Sequence, residues 1–302
     1  MSDVRYGAIE AGGTKFICEV TDADGTPLAA VRIATTTPDE TLEKVVRFFA
    51  TQQQALGALA AIGVAAFGPL DLQPGSPTFG HLLKTPKPHW SHADLVSPLR
   101  TTLGCPVTID TDVNAAALAE ALRGAGQGCS CVVYITVGTG IGGGACIDGH
   151  TLKGALHPEM GHIRVVRHPD DAFRGCCPFH GDCLEGLASG AAIAARLGGP
   201  LDESGDDDMA RIVRDHAGNY LGQLATNCIL LLSPQRIVFG GGVMQQRTLY
   251  PAIRATAARL LNGYAGIGHS DGALEGLIVP PGLGDRAGIT GAYLLASQVQ
   301  DI

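Results

Sequence analysis

Three groups of residues in this 302-residue chain have types and spacings that could do chemistry. The first is a set of soft metal ligands. His162, Cys177, His180 and Cys183 form an H-x14-C-x2-H-x2-C pattern, three of them packed between positions 177 and 183. Two thiolates and two imidazoles make a closed tetrahedral set that suits Zn²⁺ and leaves no position open, so such a metal would be structural. His157 competes with His162 as first ligand and Cys176 with Cys177; His168 reads as solvated, and chance clustering is the bland alternative. The second group is two glycine turns, Gly12-Gly13-Thr14-Lys15 and Gly138-Thr139-Gly140-Ile141-Gly142-Gly143, whose backbone N–H groups could cradle phosphate oxygens. Tight hairpins needing glycine only for backbone shape are the alternative for either turn alone. The third is Asp110-Thr111-Asp112, where a carboxylate could accept a proton or cap the helix that follows.

Hydrophobic periodicity supplies the elements that must position these groups. Val4–Ile9 and Phe16–Thr21 read as strands flanking the first glycine turn, with Leu28–Ala34 a third. Thr37 and Pro38 predict a helix start, Thr37 as N-cap, followed by Leu42, Val45, Val46 and Phe49 at helical spacing. Ala61–Phe67 reads as a buried strand. Residues 68 to 106 show little periodicity, and loops that long are usually functional. Val107–Ile109 predicts a strand and Val113–Arg123 a helix. Val132–Val137 and Gly144–Ile147 flank the second glycine turn. A sustained three-four pattern from Met209 to Ile229 gives the best helix. Arg236–Phe239 and Leu277–Val279 read as strands, and a last helix begins near Arg286. The class is α/β, with a weak internal repeat: each half opens on a hairpin with a glycine-rich turn. Two such halves facing each other would make a cleft that can close.

Gly138, Gly140 and Gly143 also satisfy the dinucleotide spacing G-x-G-x-x-G, with Glu159 21 residues on. That motif should open a helix, and Ala145-Cys146-Ile147-Asp148-Gly149 does not read as one, so a nicotinamide site is rejected.

Composition excludes several classes. Hydrophobic residues make up 45% and charged residues 17%, unlike a disordered chain, and the 42 glycines show no three-residue period. A net charge of −8 provides no general field for nucleic acid. No apolar run approaches the roughly 18 residues of a membrane span. The start, Met1 to Arg5, lacks a signal-peptide layout, so a cytoplasmic protein is expected. Nine cysteines without an export signal argue against a disulfide framework. Cys18, Cys105, Cys146 and Cys228 read as small core residues, and Cys129 and Cys131 as buried or idle thiols.

Six segments carry a resemblance over nearly the whole chain: Glu10 to Lys15, Asp110 to Ala116, Thr136 to Gly143, His157 to His162, Cys177 to Glu185, and Val238 to Val243. In this order they resemble the ROK family of sugar kinases and repressors, most closely its bacterial fructokinase branch. The resemblance implies a two-domain actin-like, hexokinase-type (ribonuclease H-like) fold with an interdomain cleft and a small zinc-binding insertion. Residues 1–121 plus 287–302 would form the N-terminal lobe and 122–286 the C-terminal lobe, with Pro280 to Asp285 as the hinge.

The resemblance also implies Mg²⁺-ATP as donor and a hexose as acceptor. Asp112 corresponds to the catalytic base, and Asp110 to a structural residue. The family commonly has Asn before the catalytic Asp; Thr111 stands there instead, as in the fructokinase-like branch. Glu159, His162, Glu185, Gly68, Pro69 and Trp90 correspond to sugar contacts, with Trp90 alternatively a core residue. Gly12, Gly13, Thr14, Lys15, Thr136, Gly138, Thr139 and Gly140 correspond to the phosphate turns, and Gly240, Gly241 and Gly242 to the adenosine turn. In the metal cluster the family's commoner Cys-x-Cys-x4-Cys spacing is altered and His180 replaces a cysteine; His162 would serve zinc with one ring nitrogen and sugar with the other. The expected activity is conversion of D-fructose to fructose 6-phosphate, with a glucokinase or mannokinase as runner-up. A sugar-sensing repressor is disfavoured, because only nine residues precede Glu10 where a DNA-binding segment would stand. No nucleic-acid or membrane partner is expected; the family's habit points to a homodimer.

Overall fold

The computed structural model describes residues 4–201, 208–266 and 272–301; residues 1–3, part of the leader argument, lie outside them. The chain divides into two compact units. Unit 1 comprises Met1–Ala119, Thr151–His157 and Asp285–Ile302, and unit 2 comprises Glu120–His150 and Pro158–Gly284.

Unit 1 is built on β1 (Tyr6–Ala11), β2 (Lys15–Thr21), β3 (Pro27–Ala34), β4 (Ala61–Ala66) and β5 (Val107–Thr111), in the order β3-β2-β1-β4-β5. The first three strands run antiparallel, and β4 and β5 join parallel. β4 is buried along its whole length, as its uninterrupted apolar run requires. One face receives the terminal helix α8 (Ala287–Ser297), whose approach depends on missing side chains. A Cβ on Gly63 would lie 1.9 Å from Ala292 O, and one on Gly291 would lie 2.0 Å from Ala115 O.

Helix α1 (Pro38–Leu56) buries Leu42, Val45 and Phe49 as its spacing predicts. Thr37 does stand at the N-cap, but its hydroxyl makes no capping bond; Thr41 Oγ1 instead accepts the Thr36 N–H at 3.1 Å. The long segment after β4 contains a short helix that periodicity missed, α2 (Ser97–Leu103), ahead of a left-handed Gly104. The rest of that segment packs on its own buried Leu70, Leu82, Trp90 and Leu95. Helix α3 (Asp112–Arg123) begins directly at the end of β5.

Unit 2 repeats the plan. β6 (Cys131–Val137) and β7 (Ile141–Ile147) form the hairpin, followed by the two-residue β8 (His150–Thr151). After the cluster segment come helices α4 (Leu184–Ala188), α5 (Gly190–Leu197) and α6 (Asp208–Leu232), then β9 (Arg236–Gly240), α7 (Leu249–Leu261) and β10 (Ile278–Val279). The sheet order is β10-β9-β6-β7-β8, with β9 parallel to β6 and to β10. Each sheet thus carries a hairpin strand beside two parallel strands, the structural form of the sequence repeat. Among the described residues no helix is long and apolar enough to cross a membrane.

Between residues 152 and 183 regular structure is limited to one 3-10 turn, Met160–His162. An ion pair invisible to local pattern fastens this segment. Asp171 accepts Arg196 Nη1 and Nη2 at 2.7 and 2.9 Å, Tyr220 Oη at 2.7 Å and its own loop's Phe173 N–H at 3.0 Å. Burial alone would raise its carboxyl, but the Arg196 and Tyr220 bonds outweigh that and hold it well below the usual range. Breaking a buried pair from one side strands the other charge. Arg196→Met should therefore destabilise unit 2 by about 3–5 kcal/mol in chemical denaturation, and Asp171→Leu in the same chain should recover much of that loss.

Candidate active site

Asp112 is the first residue of α3, and Asp110 and Thr111 are the last of β5, two residues beyond the predicted strand end. The helix cap is Thr111, whose Oγ1 accepts the Asn114 N–H at 3.2 Å. The half-buried Asp112 carboxylate accepts the neighbouring Val113 N–H at 2.9 Å. Capping therefore falls to Thr111. Asp110 is fully buried and holds the junction: Oδ1 accepts Thr111 N–H (2.8 Å) and Asn114 Nδ2 (2.9 Å), and Oδ2 meets Thr151 Oγ1 (2.6 Å) and Lys153 Nζ (3.1 Å).

The first glycine turn spans Gly12 to Thr14. Gly12 N–H is used within it, donating to Lys15 O at 3.0 Å, while Thr14 and Lys15 are exposed. Its neighbour Glu10 carries a feature the sequence left silent. The carboxyl lies against Gly288 at the start of α8, where a Cβ would come within 2.7 Å of its carboxyl carbon. It accepts the Ile289 N–H, and Oε2 is buried without a hydrogen-bond partner. Burial first, and the Asp112 charge second, raise its pKa to about 7.

In unit 2 the second glycine turn is shorter than expected, because Ile141 to Gly143 belong to β7. Gly138 N–H donates to Gly140 O at 2.9 Å, and Ile141 N–H donates to Glu185 Oε2 at 2.9 Å, so two of the turn's donors are already engaged. Glu185, half-buried, presses on Gly140, where a Cβ would lie 2.5 Å from that same oxygen. The α4–α5 junction braces the turn from below through Gly190 N–H to Gly138 O at 2.7 Å.

His162, Cys177, His180 and Cys183 converge, their ligand atoms all within 4.8 Å of one another. His162 Nδ1 is 3.5 Å from Cys183 Sγ and 3.8 Å from Cys177 Sγ, and His180 Nδ1 is 3.7 Å from Cys177 Sγ. Tetrahedral bonds of about 2.0–2.3 Å put ligand atoms roughly 3.3–3.8 Å apart, so these spacings fit a four-coordinate metal. Cys176 is exposed and outside the set. His157 is outside it too, its Nε2 accepting the Leu70 N–H at 3.0 Å in unit 1. Burial and the neighbouring Cys177 push the Cys183 thiol up to about 11, so a metal must displace that proton. His162 turns Nε2 away from the thiols, 4.0 Å from the half-exposed Glu159 carboxylate.

Two further expectations meet different fates. Trp90, expected beside a sugar, is wholly buried; its ring packs on Phe16 and Phe67, and Nε1 donates to Thr36 O at 2.8 Å. It is a core residue of unit 1, because its ring and its donor are both spent there. The other set, Gly240 to Gly242, lies at the end of β9 as predicted.

The glycines of the three turns divide by cause. Gly12, Gly140, Gly240 and Gly241 are required by close neighbours: a Cβ would meet Lys15 O, Glu185 Oε2, Tyr134 Oη and Val137 O at 2.9, 2.5, 2.4 and 2.5 Å. Gly13, Gly138 and Gly242 face open space, with nothing within 4 Å and no left-handed backbone. Neither packing nor strain explains glycine there, so the backbone at these three positions is open to a ligand's approach.

The ROK family model matches residues 6–299, and the chain belongs to the ROK family. It is 48% identical over 294 residues to the fructokinase of Zymomonas mobilis, covering 96% of each chain. Its fold matches the crystal structure of a ROK hexokinase from Thermus thermophilus with a TM-score of 0.80 at 28% identity, over 99% of this chain and 100% of that one. A ROK glucokinase from Streptomyces griseus, in complex with glucose and AMPPNP, matches with a TM-score of 0.74 at 29% identity, over 97% and 99% of the two chains.

The raised Glu10 carboxyl has a measurable consequence. Its protons are held more tightly in the folded state, so its contribution to stability is greatest in acid and falls as pH rises from about 4.5 through about 7. Glu10→Gln removes that loss. Thermal melts should show a stabilisation worth about 2–3 kcal/mol at pH 8 that vanishes toward pH 4.5; a pH-independent difference would contradict the assignment.

Proposed function

We propose that the protein is an ATP-dependent fructokinase that converts D-fructose to fructose 6-phosphate. The observation that carries this reading is the trio Gly13, Gly138 and Gly242, glycines with no structural reason to be glycine in the turns that the family uses for nucleotide. Near-full-length identity of 48% to a named fructokinase, against 29% to a named glucokinase, favours fructose as acceptor. The enzyme would work in the cytoplasm, where hexose and ATP are both available.

In this reading Gly12, Gly13, Thr14 and Lys15, with Thr136, Gly138, Thr139 and Gly140, hold the phosphates, and Gly240, Gly241 and Gly242 hold the adenosine. Glu159, His162, Glu185, Gly68 and Pro69 hold the sugar, where paired acceptors reject compounds that lack the matching hydroxyls. The Asp112 carboxylate takes the proton from the 6-hydroxyl as the bond from that oxygen to the γ-phosphorus forms. The bond from the γ-phosphorus to the β,γ-bridging oxygen breaks, and its electron pair leaves with ADP. A loose transition state puts little demand on base strength, so an ordinary carboxylate suffices. Mg²⁺ bound with ATP supplies charge neutralisation. The unpartnered Oε2 of Glu10 is an oxygen ligand of the type that a hard cation or its waters prefer.

The deciding experiment is a hexose panel with coupled detection of ADP. Fructose should rank first in kcat/KM, and Asp112→Asn should lower kcat at least about 100-fold while fructose binding is kept. Equal turnover of glucose would defeat the fructokinase reading, and retained turnover in the variant would defeat the base.

The Cys₂His₂ set would hold one structural Zn²⁺, with His162 Nδ1 on the metal and Nε2 toward the sugar. Metal analysis should give about one zinc per chain, lost on Cys177→Ser or Cys183→Ser. Zinc loss should raise the KM for fructose far more than that for ATP; a metal-free protein with unchanged constants would refute the site.

A further inference from the structure

A short strap, residues 151–157, belongs to unit 1 and fastens two of its functional loops at once. Near its start, Thr151 and Lys153 reach the buried Asp110 carboxylate, and Leu152 O accepts Asn114 Nδ2 at 3.2 Å. In its middle, the carbonyls of Gly154 and Ala155 accept Gln73 Nε2 at 2.7 and 2.6 Å. At its end, His157 is 6% exposed, and its ring lies against Gly68, where a Cβ would be 3.4 Å from Cε1. Its Nε2 accepts the Leu70 N–H at 3.0 Å, across 87 residues of sequence.

Leu70 is wholly buried, so its N–H must find an acceptor inside the protein. An imidazole with Nε2 unprotonated supplies one; an aliphatic or phenyl side chain of similar size would leave the donor stranded. The neighbouring Pro69 O is already engaged by Leu83 N–H at 2.7 Å, so the corner is tied at adjacent residues, once to the loop itself and once to the strap. The strap thereby sets both the Asp110 junction that carries Asp112 and the Gly68–Pro69 corner.

We infer that His157 is a positioning residue for the acceptor hexose: by accepting the Leu70 N–H it fixes the Gly68-Pro69-Leu70 corner at which the sugar is held. This rests on the assignment of Gly68 and Pro69 to the sugar, and it adds a residue that acts through them. Its effect belongs to sugar binding and not to nucleotide binding, because the bond lies at the corner and not at a glycine turn.

The test compares His157→Phe, which keeps volume and loses the acceptor, with His157→Gln, whose amide oxygen can take the Nε2 place. His157→Phe should raise the KM for fructose about tenfold, the loss expected for one buried hydrogen bond, with the KM for ATP within twofold. His157→Gln should return the fructose KM to within about threefold of the parent. Equal constants for Phe and parent, equal constants for Phe and Gln, or a parallel rise in the ATP KM would each overturn the role. Should His157→Phe not fold, ¹⁵N NMR of the parent's histidine rings decides the underlying bond: Nε2 must be the unprotonated nitrogen, and an Nε2-protonated tautomer overturns the inference. The parent's own turnover of fructose decides the functional reading, so that failure is separable from failure of His157.

Discussion

A fully buried carboxylate, Asp110, is the constraint on which the β5–α3 junction of unit 1 depends. A charge in that position is tolerable only if every oxygen is satisfied. It draws in the Thr111 N–H, the Asn114 amide, the Thr151 hydroxyl and the Lys153 ammonium, which come from the strand end, the helix start and the strap. Satisfying one anion therefore fixes three backbone segments relative to each other. Asp112 follows Thr111 directly, at the strand-to-helix junction that this arrangement fixes. Thr111 takes the helix cap, and the Asp112 carboxylate accepts the neighbouring Val113 N–H.

Unit 2 solves the same problem with different chemistry. Its irregular segment from 158 to 183 cannot be held by a backbone ladder, so long-range polar groups hold it instead. Asp171 pins one part to α5 and α6, while the four soft ligands gather the other. From that gathering point the chain passes directly from Cys183 through Leu184 to Glu185, whose carboxylate braces the second glycine turn.

The alternating architecture was legible in the sequence because apolar periodicity reports burial, and burial follows the sheets. Polar residues that are buried escaped it. The strand β5 was expected to stop at Ile109 because Asp110 and Thr111 look like surface residues; their partners lie up to 43 positions away and are invisible locally. Asp171 and Arg196 went unread for the same reason, each resembling a solvated charge in its own neighbourhood. His157 was weighed only as a metal ligand, since its real partner is a backbone N–H 87 residues earlier. Trp90 shows the converse error: a residue type that often stacks on sugars is here spent on two phenyl rings and a carbonyl. The metal cluster was readable because three of its members are close in sequence, so spacing alone constrained their geometry.

The glycine turns show why a motif needs structure to be interpreted. Counting glycines treats all of them alike, yet most in these turns are demanded by neighbouring backbone or side chains and would be glycine in a protein with no ligand at all. Positions with neither crowding nor a left-handed backbone are the ones whose glycine the fold itself does not demand. Such positions occur once in each of the three turns, at 13, 138 and 242, and each turn sits at the end of an interior strand of its sheet. In the second turn the N–H groups of Gly138 and Ile141 are already committed, which leaves Thr139 and Gly140 as the donors it can offer an anion. So depleted a turn could offer an anion two backbone N–H bonds at most.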